Sequence, residues 1–419
     1  MSTALARRSF LPGRTATALV AALLGVGLFA GSWTLLHHGF LARHQIIDTP
    51  VYQTYGEDMI HGQVPYRDFR PEYPPAALPT FVIPAIGHPS PDTYKQRFGW
   101  LMLGCGIAMV ALMAVALAAL GAGPLRLFGA LAFAGVAPLA LGSVVLTRFD
   151  LWPAALTVAA LAALCMRRFR LGSAVLGIAV ATKIYPIVIV PIAIAYAWRR
   201  VGRREGLVCL GVVFGVVAAT FLPFFVLSPG GVWDSVVRQS TRPLQIESLG
   251  SALFLAAHHA AGLGITMRSS HGSQNLDGTA PNVVGALQTV LQLAALGWVW
   301  VLFARGPLGR ERLVQGSAAA VCAFVALGKV LSPQFLIWLL PLVPLVRGRR
   351  GVAASALLGL ACVLTQLWFP FHYWALALHF DARASWLVLA RDLVLVALLA
   401  VLAWPEREPR REPGPLRSS

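Results

Sequence analysis

The chain has 419 residues, 57% of them hydrophobic and 12% charged, with a mean hydropathy of +0.70. A soluble domain carries about a quarter charged residues, so that class is excluded; apolar runs near the ~20 residues that cross hydrocarbon recur along the whole length. The net charge of +17 does not require nucleic acid, because 21 of the 34 cations sit in short turns between apolar runs with five acids, while the other 13 cations face 12 acids. This is the positive-inside pattern, and it places both termini in the cytoplasm and the acid-rich loops outside.

In chain order, Arg7-Arg8-Ser9-Phe10-Leu11 reads as the cationic flank of a first anchor and not as a twin-arginine export signal, since many more spans follow. The first span is about 17–35. An external segment, 36–97, follows, and its stretch 48–75 holds Asp48, Glu57, Asp58, Asp68 and Glu72, five of the 17 acids. Residues 76–87 are too short to cross and are punctuated by Pro79 and Pro84, so they read as interfacial or re-entrant. Spans at about 98–121, 127–146 and 151–166 come next, with an external turn at Thr147–Asp150.

Segment 171–198 has basic clusters at both ends, so it must enter the membrane and return. Only 12 residues precede Lys183; at ~1.5 Å each they reach ~18 Å, short of the ~30 Å core. The same design recurs in 312–346, where G-K-V-L-S-P-Q (328–334) echoes T-K-I-Y-P (182–186). Paired interrupted segments of this kind point to a site in a membrane cavity. Further spans are expected at about 206–227, 283–303, 351–370 and 385–404, and 228–282 is external with 249–265 lying on or dipping into the bilayer. The expectation is an all-α polytopic membrane protein of about twelve transmembrane helices, with short re-entrant hairpins and external loops. It forms one integral membrane domain, 1–404, and a disordered cytoplasmic tail, 405–419.

Five cysteines lie singly in apolar runs and read as small buried hydrophobes. The ten histidines show no H-E-x-x-H spacing, so no metal site is expected. There is no glycine-rich phosphate loop to bind a nucleotide sugar directly, and no cofactor is implied. Asp48, just beyond the first span, can take a proton from a hydroxyl nucleophile or cap the helix that begins near Pro50. Lys183, Lys329, Arg148, Arg238 and Arg242 fall at external helix ends or hairpin apices, where converging cations suit a lipid phosphate. Internal pairs, Arg148 with Asp150 and Arg242 with Glu247, are the alternative. Asp58, Tyr66, Asp68, Glu72, Tyr73, Glu247 and Gln334 are candidates for sugar or acceptor hydroxyls, although Asp68 and Glu72 can equally pair with Arg67 and Arg70. Trp338, Trp368 and Tyr373 read as interfacial belt residues.

Six motifs occur in order: D-x-P-V-Y after the first span, P-Y-R-D-F-x-x-E-Y-P-P, T-R-F-D-L-x-P, A-T-K-I-Y-P, R-P-L-Q-I-E-S-L and G-K-V-L-S-P-Q-F-L-I-W. Together, over roughly 20–400, they resemble actinobacterial members of glycosyltransferase family 87. The resemblance implies a C-type (GT-C-like) membrane enzyme that inverts configuration. Its donor would be a polyprenyl-phosphate sugar, typically mannose, and its acceptor a cell-envelope glycolipid or glycan. It also implies an extracytoplasmic site in the cell membrane. Asp48 matches the family's aspartate base in the D-x-x-V-Y pattern, with Asp58 and Asp68 close by in sequence. The competing class is a transporter or lipid flippase, which would need polar gates on both faces, whereas the polar content here is concentrated on one. The enzymatic reading requires Asp48 and the two lysine-tipped hairpins to share one pocket.

Overall fold

The structure, a computed structural model, describes residues 12–38 and 45–404. The tail at 405–419 and the basic residues before Pro12 lie outside the described residues. Helix dominates, because backbone N–H and C=O groups in hydrocarbon have no water to bond and must satisfy one another locally.

The first half comprises α1 (Pro12–Leu36), α2 (Thr49–Ile60), α3 (Pro79–Ala85), α4 (Pro91–Leu120), α5 (Pro124–Leu141), α6 (Val144–Thr147), α7 (Leu151–Cys165), α8 (Phe169–Thr182) and α9 (Val190–Val201). The second half comprises α10 (Arg203–Leu227), α11 (Pro229–Ser240), α12 (Leu249–Ala261), a hairpin of β1 (Thr266–Ser270) and β2 (Ser273–Asp277), and α13 (Thr279–Arg305). After these come α14 (Arg310–Ala326), α15 (Leu336–Leu339), α16 (Gly348–Trp368), α17 (Tyr373–His379) and α18 (Ala382–Ala403). Seven of the described helices, α1, α4, α5, α10, α13, α16 and α18, are long and apolar enough to cross a membrane. The chain is therefore a polytopic, all-α membrane protein.

The remaining expected spans are realised as shorter pieces, and burial explains why. In α7, 12 of 15 residues are buried, and in α14, 13 of 17, so the short helices form the core and are screened from lipid by protein. By contrast, only 6% of the most apolar window of α10 is buried. Irregular backbone at membrane depth is tolerated only where protein or a cavity surrounds it. Small residues allow the close approaches that such a core needs. A Cβ on Gly135 would fall 2.7 Å from the Leu28 Cβ and 2.9 Å from the Gly25 carbonyl oxygen, where α5 crosses α1.

Two interruptions occur where the sequence places them. α8 stops at Lys183, whose backbone is extended (φ −155°, ψ 140°), and a tight turn at Tyr185–Ile189 leads into α9. α14 stops at Ala326, and the chain reaches α15 through the turn Pro333–Phe335. Three details differ from expectation. The 127–146 span is broken at Gly142, which adopts φ +78° and lets the chain turn before Arg148. The polar loop after 265 is an antiparallel hairpin, with Thr266 paired to Asp277 and Ser270 to Ser273. Trp338 and Trp368 are not belt residues, since both are buried in the interior. All five cysteines are buried and free.

Candidate active site

The site is organised by the turn between α6 and α7. Extended backbone at Arg148 (φ −120°, ψ 144°) followed by the first turn of α7 sends the side chains of Arg148 and Asp150 to different partners. The Arg148 guanidinium forms an ion pair with the Asp48 carboxylate. Asp150, 1% exposed, accepts from Lys183 Nζ at 2.6 Å and from Trp338 Nε1 at 2.5 Å. The Lys183 ammonium also lies 4.5 Å from the Phe149 ring centroid, 5.2 Å from Trp338 and 5.8 Å from Tyr73. One four-residue turn thus fixes the acid and the first lysine at once. The alternative pairing of Arg148 with Asp150 is not the one adopted.

Asp48 precedes α2, whose start is preset by Pro50. Its side chain makes no capping bond to the helix. It turns instead to Arg148, stays about one-third exposed, and accepts from the Tyr52 hydroxyl at 3.4 Å. It is therefore oriented by a cation and a hydroxyl and reachable from outside.

A second layer covers this floor. Tyr66 adopts φ +67° and is buried; its hydroxyl donates to the Tyr73 carbonyl at 2.6 Å, and its own carbonyl accepts from Ser228 Oγ at 3.1 Å. Gly231 is needed here, because a Cβ would lie 1.8 Å from that carbonyl oxygen. Tyr66 thus locks the loop to α11 and is not free to stack on a sugar. Tyr73 packs edge-on against Phe149 at 4.7 Å between centroids, within a nest of Tyr52 and Phe81. Ser235 and Gln239 of α11 donate to the Pro71 and Glu72 carbonyls, holding Glu72 above the site. Burial raises the Glu72 carboxyl above its ordinary range, and Arg242, Arg238 and Lys183 pull the other way.

Arg238 is exposed at the end of α11, and neither it nor the half-buried Arg242 forms an ion pair among the described residues. Arg242 lies within electrostatic range of Glu72 and Glu247. Glu247 is buried, accepts from Gln245 Nε2 at 2.6 Å, and is pushed by burial up to about 8 against the pull of Arg391. It braces its own segment and does not reach toward a sugar. Asp48, Glu72, Tyr73, Arg148, Lys183, Arg238 and Arg242 are therefore brought together, with Glu247 beneath them.

Other expected residues stand apart. Lys329 Nζ donates to the Ser240 carbonyl at 3.1 Å, and its own carbonyl accepts from the Gln245 amide at 3.0 Å, so it flanks the arginines through the backbone. Gln334 is half-buried, and its side chain makes no hydrogen bond among the described residues. Asp68 is exposed and taken up by Arg67 (2.8 Å) and the Val64 amide (2.7 Å); the Arg67 bonds hold its carboxyl down at about 2. Asp58 is half-buried in the last turn of α2 and makes no ion pair among the described residues. Among the described residues no group of three His, Cys, Asp or Glu side chains could hold a metal. Sequence reasoning missed Trp338 as a donor to Asp150, and it missed the pair Arg391–Asp392. A charge inside the final apolar run is the signal that could have exposed that pair.

Residues 72–333 match the profile of Glycosyltransferase family 87. No curated protein matches the chain. Among solved structures it is similar to ArnT from Cupriavidus metallidurans bound to undecaprenyl phosphate, with 15% identity, a TM-score of 0.46, and coverage of 93% of this chain and 76% of ArnT. It is also similar to the apo form of ArnT, with 14% identity, a TM-score of 0.47, and coverage of 93% and 77%.

Proposed function

The chain belongs to glycosyltransferase family 87, and from that premise we propose that it transfers a sugar from a polyprenyl-phosphate donor to a hydroxyl of a cell-envelope glycolipid or glycan. Mannose is the first candidate for the sugar, and the reaction takes place at the extracytoplasmic face. The observation that carries this reading is the Arg148–Asp150 turn, which joins the Asp48 carboxylate to the Lys183 ammonium.

The acceptor oxygen approaches Asp48 from the exposed side and gives it a proton as it attacks the anomeric carbon. The bond from that carbon to the phosphate oxygen breaks on the opposite face, so configuration inverts. Polyprenyl phosphate leaves with one more unit of negative charge on its oxygens. Stabilising that charge matters more than protonating the leaving group, and Arg238 and Arg242, which form no ion pair among the described residues, serve it with Lys183 and Lys329 alongside. Asp48 then returns its proton to solvent. Arg148 pairs with Asp48 and aims it; it is a positioning residue. An activated phosphate donor does not need the paired-carboxylate geometry of glycosidases.

The test follows labelled sugar from polyprenyl-phosphate mannose into membrane lipids. Asp48→Asn, expressed at the level of the wild type, should lower transfer by about 10²–10⁴-fold, the scale of a general base. Unchanged transfer removes Asp48 from the role. A wild-type protein that moves intact lipid across the bilayer without transferring sugar returns the carrier reading.

A further inference from the structure

Below the proposed site lies a charged pair that no step of the reaction uses. Arg391 and Asp392, neighbours on α18, are both 0% exposed and lie 2.6 Å apart. Such a pair loses hydration that mutual attraction repays only with good geometry and further hydrogen bonds. Here Arg391 Nη1 and Asp392 Oδ2 find no hydrogen-bond partner among the described residues. Packing does not call for the pair either, since Val388, Leu395, Leu398 and Leu402 already bury the inward face of α18.

What the pair does reach is the strap 241–248 that joins α11 to α12. Arg391 Nη2 donates to the Glu247 carbonyl at 2.7 Å, while its guanidinium lies 5.7 Å from the Trp368 ring. The strap is held on two further sides. The Gln245 amide donates to the Lys329 carbonyl at 3.0 Å, and its Nε2 to Ser332 Oγ at 2.9 Å. On the other edge, the Ile246 amide donates to the Gln274 carbonyl and the Leu276 amide to the Leu244 carbonyl, each at 3.0 Å, so the strap extends the β-hairpin. Arg242 stands at the start of this strap, within electrostatic range of Glu72.

Resting on the reading of the site given above, we propose that Arg391–Asp392 is a positioning pair. By fixing the Glu247 carbonyl from inside the membrane, Arg391 sets where the strap lies and hence where Arg242 meets the donor phosphate. Asp392 orients the guanidinium for that bond. The pair lies beyond the 72–333 stretch that matches the family profile.

The decisive variant is Arg391→Met/Asp392→Leu, which removes both charges together and leaves neither stranded. Replacing a buried pair by apolar residues of similar volume is often neutral or stabilising. The melting temperature in detergent should therefore hold, while hydrogen exchange in a peptide covering 241–248 speeds up by about tenfold and one covering 49–60 does not change. In transfer assays the donor KM should rise by about tenfold, the scale of one lost charge-assisted hydrogen bond, with the acceptor KM unchanged. Arg391→Lys, which keeps a cationic donor for the Glu247 carbonyl, should restore the donor KM to within about threefold. Wild-type exchange in the strap together with a wild-type donor KM overturns the proposal. So does a double variant that fails to fold, or one that loses kcat for every substrate as its melting temperature drops. If the wild type transfers no sugar, the functional reading fails, and the exchange measurement still decides the role of the pair.

Discussion

Lys183 and Lys329 occupy equivalent places in two similar hairpins, each after a helix that stops short and before a proline, yet their surroundings differ. Lys183 is packed among Phe149, Trp338 and Tyr73 and bonded to Asp150 at 2.6 Å. Lys329 leans outward onto the Ser240 carbonyl and has no ion pair among the described residues. The difference comes from elsewhere in the chain. Only the first hairpin meets the T-R-F-D turn, so only its lysine gains a buried carboxylate; the second meets the 241–248 strap and supplies backbone acceptors instead. A repeated local motif thus fixes where a cation sits, and its long-range neighbours fix what that cation can do.

The sharpest way to break this comparison is to neutralise each lysine in turn. Lys183→Ala strands Asp150, and leaving one member of a buried pair unpartnered costs about 3–5 kcal/mol. A large fall in melting temperature and loss of transfer are expected. Lys183→Met/Asp150→Asn keeps an acceptor for Trp338 Nε1 and removes the stranded charge, so stability should largely return without activity. Recovery of both would mean that Lys183 only holds the fold.

Lys329→Gln should do much less. A partly exposed amine bonded to one carbonyl contributes on the scale of other surface groups, within about 0.5 kcal/mol, so the melting temperature should hold. If its charge contributes only at long range to donor binding, the donor KM rises by less than about tenfold and kcat stays near wild type. Equal losses at Lys183 and Lys329 would show that the two hairpins act alike and that the T-R-F-D turn is not what separates them.

How much of this was legible in the sequence follows the range of the interactions involved. The break at Lys183 was visible because basic clusters on both flanks allow too few residues to cross, a local count. The start of α2 was visible in Asp-Thr-Pro, although the Asp48 side chain chose Arg148, about a hundred residues away, over the cap. The β-hairpin was invisible because T-M-R-S-S and S-Q-N-L-D lack the β-branched alternation that marks strands. Its pairing is completed by the Leu244–Ile246 strap, which no local pattern announces. Trp338 looked like a belt residue because composition records a tryptophan near a span end and not the buried carboxylate that takes its N–H. Tyr66 looked available for a sugar because an aromatic in a polar loop gives no sign that its φ is positive and its ring buried against Phe224.

The smallest expected effect on transfer is at Glu247, and it extends the contrast from lysines to acids. Asp48 is paired with a guanidinium and partly exposed, whereas burial pushes Glu247 from 4.5 up to about 8, with Arg391 and Arg148 opposing and Asp392 adding to the rise. At neutral pH Glu247 is therefore largely protonated, and glutamine is a close mimic, so Glu247→Gln should transfer sugar within about twofold of wild type. The pH dependence of stability is where the two proteins part. Below 4.5 the carboxyl is protonated in both the folded and unfolded chains and the slope vanishes. Between 4.5 and about 8 the unfolded chain releases a proton that the folded one keeps, so this residue's contribution falls as pH rises, and above about 8 it levels off. Melting temperatures measured across that window should decline less in Glu247→Gln than in the wild type. A variant whose curve declines as steeply as the wild type's would mean that Glu247 is ionised in the folded protein and holds the strap as a charge, placing it in the same class as Asp48.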